Sequence, residues 1–169
     1  MTYYTTMPSP VGELTLTSNG DALTAVYFED PKYGPASTGG WIRDDAMLAD
    51  ARRQLDEYFR GERTEFELTL APSGTDFQRS VWRALTEIPY AATTSYGWIA
   101  SSIGKPAASR AVGAANGRNP ISIIVPCHRV IGSGGDLTGY GGGLDRKRWL
   151  LNHEAVVLSK VRAASVAAR

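Results

Sequence analysis

The sequence predicts an α/β (α+β) protein in two parts. A small N-terminal α/β domain spans residues 1–74, and a mainly helical C-terminal domain with a helix-turn-helix spans 75–169. Three observations predict this. Alternating apolar runs flank Asn19-Gly20, a strong hairpin signal. At Ala71-Pro72-Ser73-Gly74 an alternating run stops, the charge sign changes just beyond it and a helix with a capping residue begins. Further on, the apolar spacing is helical, and Gly104-Lys105-Pro106 separates two short helical stretches.

Taken in order, Val11 to Thr17 and Ala22 to Phe28 read as strands of a meander, and Pro31 to Gly40, with three glycines and two prolines, reads as a loop. Met47, Ala51, Leu55, Tyr58 and Phe59 recur at helical spacing, predicting a helix over 44–59 that Gly61 stops. Glu65 to Leu70 alternates again and predicts a strand. Thr75 is placed as N-cap of a helix over 76–88 with Phe77, Val81, Trp82 and Leu85 on one face. Tyr96, Ile99, Ala100 and Ile103 share a face of the next helix, and Ala107 to Ala115 form the one after it. That helix is almost wholly Ala, Gly, Val and Ser apart from Arg110, so it can approach a surface closely with one long cation to extend. Asn116 to Pro120 turns the chain into an apolar run, Ile121 to Val125, read as a strand that ends at Pro126. After a loop with seven glycines between Gly132 and Gly143, a last helix starts near Asp145 and carries Trp149, Leu150, Leu151 and His153-Glu154. The Ala- and Val-rich tail, residues 155–169, is compatible with a helix or a frayed end.

The 169 residues, 43% hydrophobic, suffice for a buried core, and no stretch approaches the roughly 20 apolar residues of a membrane span. A soluble cytoplasmic protein is expected. The net charge of +1 conceals a division: residues 1–76 carry 6 basic and 13 acidic side chains, residues 77–154 carry 9 and 4, and the tail adds 3 basic ones. Such asymmetry points to a C-terminal half that meets a polyanion.

Chemistry concentrates at Pro126-Cys127-His128-Arg129. Cys127 is the only cysteine, which precludes an internal disulfide and permits a free thiol. Each of the two histidines has a potential working neighbour: His128 adjoins Cys127, and His153 adjoins Glu154. A Cys–His–acid arrangement is therefore a candidate. One Cys and two His are too few ligands for a zinc-type metal site.

The chain resembles the O6-alkylguanine-DNA alkyltransferases over nearly its whole length. The resemblance rests on Thr75-Asp76-Phe77-Gln78, Ile88-Pro89-Tyr90, Ser95-Tyr96, Ser109-Arg110-Ala111-Val112-Gly113, Asn119-Pro120, Pro126 to Ile131, Gly139 to Gly143, and Trp149-Leu150-Leu151 with Glu154. It implies stoichiometric transfer of the alkyl group from O6-alkylguanine, and from O4-alkylthymine, to Cys127, without a cofactor. His128 is expected to take the thiol proton through a water, Glu154 to orient the imidazole and Asn119 to hold the active-site backbone. The target base is flipped out of the duplex; Arg110 fills the stack, Tyr96 presses on a phosphate and can donate to the base, and Tyr140 flanks the guanine. Val130 and Gly141 bind its edges through their backbone, as does Cys127, and Lys147 fixes the loop and the leaving group. A monomer in solution is expected, with protein contacts along double-stranded DNA. The chain departs from the family pattern at Ala91-Ala92, where Gly and a polar residue are common, and at Trp98, where a polar residue is usual. A sensor of alkylated guanine without chemistry is the competing reading, and such proteins lack the cysteine. The small-residue helix offers few side chains for reading base edges, which argues against a transcriptional regulator.

Overall fold

A computed structural model describes residues 1–167; Ala168 and Arg169, the end of the tail, lie outside the described residues. The N-terminal part is a four-stranded sheet in the order β3-β2-β1-β4: β1 (Tyr3–Met7), β2 (Leu14–Ser18) and β3 (Leu23–Tyr27) form the antiparallel meander, and the short β4 (Ile42–Arg43) joins β1 in parallel. The β2–β3 turn works as its residues predict. Asn19 Oδ1 accepts from the Asp21 and Ala22 amides, both at 2.9 Å, and Gly20 takes the left-handed φ of 103°. Leu14, Leu16 and Val26 bury one face of this sheet under helix α1 (Ala49–Phe59), whose Ala51, Gln54, Leu55 and Tyr58 form the buried stripe.

Helix α1 begins five residues later than the spacing predicts. Asp44 Oδ1 accepts from the Met47 amide at 3.0 Å and Asp45 binds Thr5 Oγ1 at 2.6 Å, so short acidic side chains hold residues 44–47 as a turn against the sheet. The strand expected at 65–70 does not form. Gln54 takes both backbone groups of Glu67, at 2.8 and 3.1 Å, and leaves one bridge, Leu70 beside Leu23. A buried side-chain amide thereby replaces a ladder partner.

In the C-terminal part, α2 (Asp76–Leu85) opens with a capping box in which Thr75 and Gln78 exchange side-chain and backbone hydrogen bonds. It stops three residues short of Ile88, where tighter three-residue turns lead toward Pro89. Helices α3 (Tyr96–Ser102) and α4 (Ser109–Gly117) make the helix-turn-helix, with α4 displaced two residues along the chain from its expected span and Gly104 at φ 75° in the turn. Trp82 Nε1 donates to Ala115 O at 2.8 Å, fastening α2 to the end of α4.

The expected strand at Ile121–Val125 is replaced by a compact buried turn. Ile121 makes one bridge to Val26, then the Ile124 and Val125 amides bond back to Ser122 and Ile121, with Ile123 at φ 74°. A left-handed β-branched residue costs about 1–3 kcal/mol; the burial of Ile121, Ile123, Ile124 and Val125 offsets it. Cys127 thus lies in a 3₁₀ turn, Cys127–Arg129, rather than at a strand end. Next come β6 (Val130–Ile131), paired in parallel with β5 (Thr94–Ser95), the glycine-rich loop, and α5 (Leu144–Ala167). The tail is helical through Ala167, and beyond Leu158 its side chains face solvent. Among the described residues no helix is long and apolar enough to cross a membrane.

Candidate active site

The 3₁₀ turn folds Cys127, His128 and Arg129 inward together; all three are buried. Asn119 shapes the approach, donating from Nδ2 to Val125 O at 2.8 Å and accepting the Ile121 amide at 3.0 Å, while Asn116 Nδ2 reaches Cys127 O at 3.4 Å. His128 Nε2–H donates to Glu154 Oε2 at 2.7 Å, with both side chains fully enclosed. This leaves His128 Nδ1 as the basic nitrogen, and it has no protein partner among the described residues.

Glu154 is the most heavily hydrogen-bonded group of the site. Its Oε1 accepts from Arg129 Nε at 2.8 Å and the Ala91 amide at 3.2 Å; its Oε2 accepts from His128, from Arg129 Nη2 at 3.0 Å and from Tyr58 Oη at 2.6 Å. Burial pushes the carboxyl up, but the bonds and charges of His128 and Arg129 outweigh it and hold Glu154 well below the carboxylate range. Burial lowers His128, only partly opposed by Glu154, so the imidazole is neutral at neutral pH. Burial also pushes the Cys127 thiol up, while Asn119, the Lys147 ammonium and Tyr140 favour the thiolate. At rest the sulfur is a protonated thiol beside a neutral base, with a cation nearby.

Lys147 is fully buried, and its Nζ donates to Val130 O at 2.6 Å and Thr138 O at 3.0 Å, pinning β6 to the glycine-rich loop. In that loop the Tyr140 ring packs on Phe28 of the sheet domain, centroids 5.9 Å apart; its buried hydroxyl has no hydrogen-bond partner among the described residues, and burial, with the neighbouring Cys127, holds it well above the usual tyrosine value. Gly142 has to be glycine, since a Cβ there would lie 2.6 Å from the Phe28 ring. Gly141 O faces the Lys32 amide at 3.4 Å, and Arg146 Nε donates to Val11 O at 2.8 Å. Tyr96, opening α3, shares a 2.6 Å hydrogen bond with Thr138 Oγ1 at the rim of the loop.

The fold therefore gathers Cys127, His128, Glu154, Asn119, Val130, Tyr140, Gly141 and Lys147 at one place, with Tyr96 on its edge. Arg110 lies apart on the exposed side of α4, and Trp98 is an exposed ring, 52% accessible, rather than extra packing. His153 does not join the thiol. It stacks on Trp149 and donates from Nε2 to Tyr58 O at 2.8 Å, so Glu154 serves His128 and not its own neighbour. Three residues escaped the sequence reading: Tyr58, taken for one more ring on an apolar face, Arg129, seen only as part of the motif, and Phe28. A buried arginine's need for a carboxylate was the one available signal.

A helix-turn-helix beside a buried thiol, with a base and carboxylate behind it and a glycine-rich loop over it, defines a class: a DNA-facing protein with cysteine-centred chemistry. Family models resolve which. The 6-O-methylguanine DNA methyltransferase DNA-binding domain matches residues 76–156, and the ribonuclease-like domain of the same family matches 2–72. The chain belongs to the 6-O-methylguanine DNA methyltransferase family. It is 54% identical over 154 residues to the methylated-DNA–protein-cysteine methyltransferase of Mycobacterium tuberculosis, covering 91% of this chain and 93% of that one. Its identity to the protein of that name from Methanosarcina acetivorans is 51% over 152 residues, covering 90% and 97%. The crystal structure of Mycobacterium tuberculosis OGT in complex with DNA superposes with a TM-score of 0.86 at 52% identity, covering 92% of this chain and 94% of that one.

Proposed function

We propose that this protein repairs DNA by moving the alkyl group of O6-alkylguanine onto Cys127 Sγ. The S–C bond forms as the C–O6 bond breaks, and guanine leaves. The thiol proton passes through a water to His128 Nδ1 and from there toward the departing base, so no net charge is left on the protein. Glu154, ionised and fixed from five directions, stabilises the imidazolium while it exists. Lys147 favours the thiolate and, through the loop, steadies the leaving group, while Tyr140 flanks the base. The backbone of Cys127, Val130 and Gly141 reads the base edges. O4-alkylthymine presents the same alkyl–oxygen bond and is a second substrate.

Duplex DNA is the partner: α4 lies in the minor groove, the base rotates out, Arg110 enters the gap and Tyr96 turns from Thr138 toward the backbone. The protein acts as a monomer, once per molecule, because a thioether has no leaving path in this site. The observation that carries this reading is the buried Cys127 beside the His128–Glu154 pair at 2.7 Å. Intact-protein mass spectrometry tests it with an oligonucleotide containing O6-methylguanine. Wild type gains the mass of one CH₂ and Cys127→Ser does not. Binding by both proteins without a mass gain in either would instead establish a sensor.

A further inference from the structure

Four of the five hydrogen bonds on Glu154 come from the C-terminal part of the chain, and the fifth comes from the sheet domain. Tyr58, at the end of α1, is fully buried and donates to Glu154 Oε2, the oxygen that also accepts from His128. Its backbone carbonyl is held as well, by His153 from α5. The ring is wedged against Phe59, Phe66, Tyr90 and His153, with centroids 5.3, 5.6, 6.3 and 5.4 Å away, so the hydroxyl has little freedom to turn elsewhere.

We propose that Tyr58 is a positioning residue for the transfer step: by sharing Oε2, its hydroxyl sets how strongly Glu154 accepts from His128, which makes the sheet domain a working part of the site. This rests on the function proposed above. The donors share the acceptor density of one oxygen. Oε2 receives Tyr58, His128 and Arg129, and every donor that draws on it weakens its hold on the others. Without the Tyr58 hydroxyl, Oε2 binds the His128 N–H more strongly and the imidazolium is retained to higher pH. Arg129 alone cannot impose this setting, because its fork is divided between the two oxygens and its shorter bond falls on Oε1. The groups facing the pair are Arg129 from the 3₁₀ turn, Tyr58 from α1, Tyr90 and the Ala91 amide from the loop before β5, Lys147 from α5, and Cys127 and Tyr140. The three tyrosines and the Cys127 thiol are all raised above their ordinary values, so His128 is the group of the pair's surroundings that sets the acid limb of the rate.

Tyr58→Phe keeps the ring and removes the hydroxyl alone. Its single-turnover rate of methyl transfer from a saturating O6-methylguanine duplex is compared with wild type between about pH 5 and 9. The acid limb is expected to move up by about 0.5–1 pH unit, the worth of one hydrogen bond. The variant is then several-fold slower than wild type near pH 6 and converges with it near pH 8, with unchanged affinity for the duplex. Phe59→Leu serves as the control: it loosens the same ring cluster, lowers the melting temperature and leaves the limb in place. A Tyr58→Phe limb at the wild-type position, or an equal shift in Phe59→Leu, overturns the proposal and leaves Tyr58 a packing residue. Failure of wild type to gain a methyl group would instead overturn the alkyl-transfer reading itself.

Discussion

Arg129 grips Glu154 through a two-bond fork, Nε to Oε1 at 2.8 Å and Nη2 to Oε2 at 3.0 Å, and both side chains are shielded from solvent. Removing one member of such a pair strands the other charge, at a cost of about 3–5 kcal/mol. Glu154→Gln, which keeps the shape and removes the charge, should lower stability by about 3 kcal/mol in urea melts. It should also slow methyl transfer by about a hundredfold, the scale of a disabled general base. Loss of stability without loss of rate would remove Glu154 from the chemistry.

Glu154 and His128 govern the response to acid. The folded-state value of Glu154 is depressed, so its contribution is complete above the unfolded carboxylate value near 4.3 and is lost as pH falls toward the folded one. His128 is depressed too, so below about pH 6.5 the unfolded chain binds a proton that the folded protein refuses. In both cases the unfolded state holds more protons, and stability must rise with pH. The urea midpoint is expected to climb from about pH 4 to pH 7. A flat profile would mean that neither group is perturbed as described.

Ala91 offers a stabilising change. It stands at φ 62° with its amide donating to Glu154. Left-handed alanine costs about 1–2 kcal/mol, and glycine forfeits about 0.5–1 kcal/mol in backbone entropy. Ala91→Gly should therefore raise stability by up to about 1 kcal/mol, seen as a melting point a few degrees higher. A lower melting point would show that the methyl group packs better than the strain costs.

The stack-filling role proposed for Arg110 is testable apart from the chemistry. Arg110→Ala should reduce repair of a methylated duplex by about tenfold or more, or 1.4 kcal/mol. Reaction with a free O6-substituted guanine should barely change. Equal losses on both substrates would refute a role in base flipping. Binding of either protein to duplex should weaken steeply with salt if the basic C-terminal half contacts phosphates.

Much of this architecture is legible in short stretches, because the governing forces there are local. Asn19-Gly20 specifies the β2–β3 turn, Thr75 and Gln78 cap α2 reciprocally, and Gly104 separates α3 from α4 with no help from distant residues. The readings fail where a backbone hydrogen bond is claimed by a distant side chain. Residues 65–70 alternate like a strand, yet Gln54 occupies Glu67. The run Ile121 to Val125 is apolar enough for a strand, and periodicity cannot tell a buried strand from a buried turn.

By itself, then, the sequence determined the meander, the capped and broken helices, the uneven charge and the identity of the single thiol, all consequences of periodicity, turn chemistry and composition. Tertiary structure decided the wiring of the site. It set His128 rather than His153 against Glu154, turned Arg129 inward, and brought Tyr58 across 96 residues to the same carboxylate. The physical reason is that a local pattern states which face of an element is buried. Only the packed core states which buried polar groups must then satisfy one another.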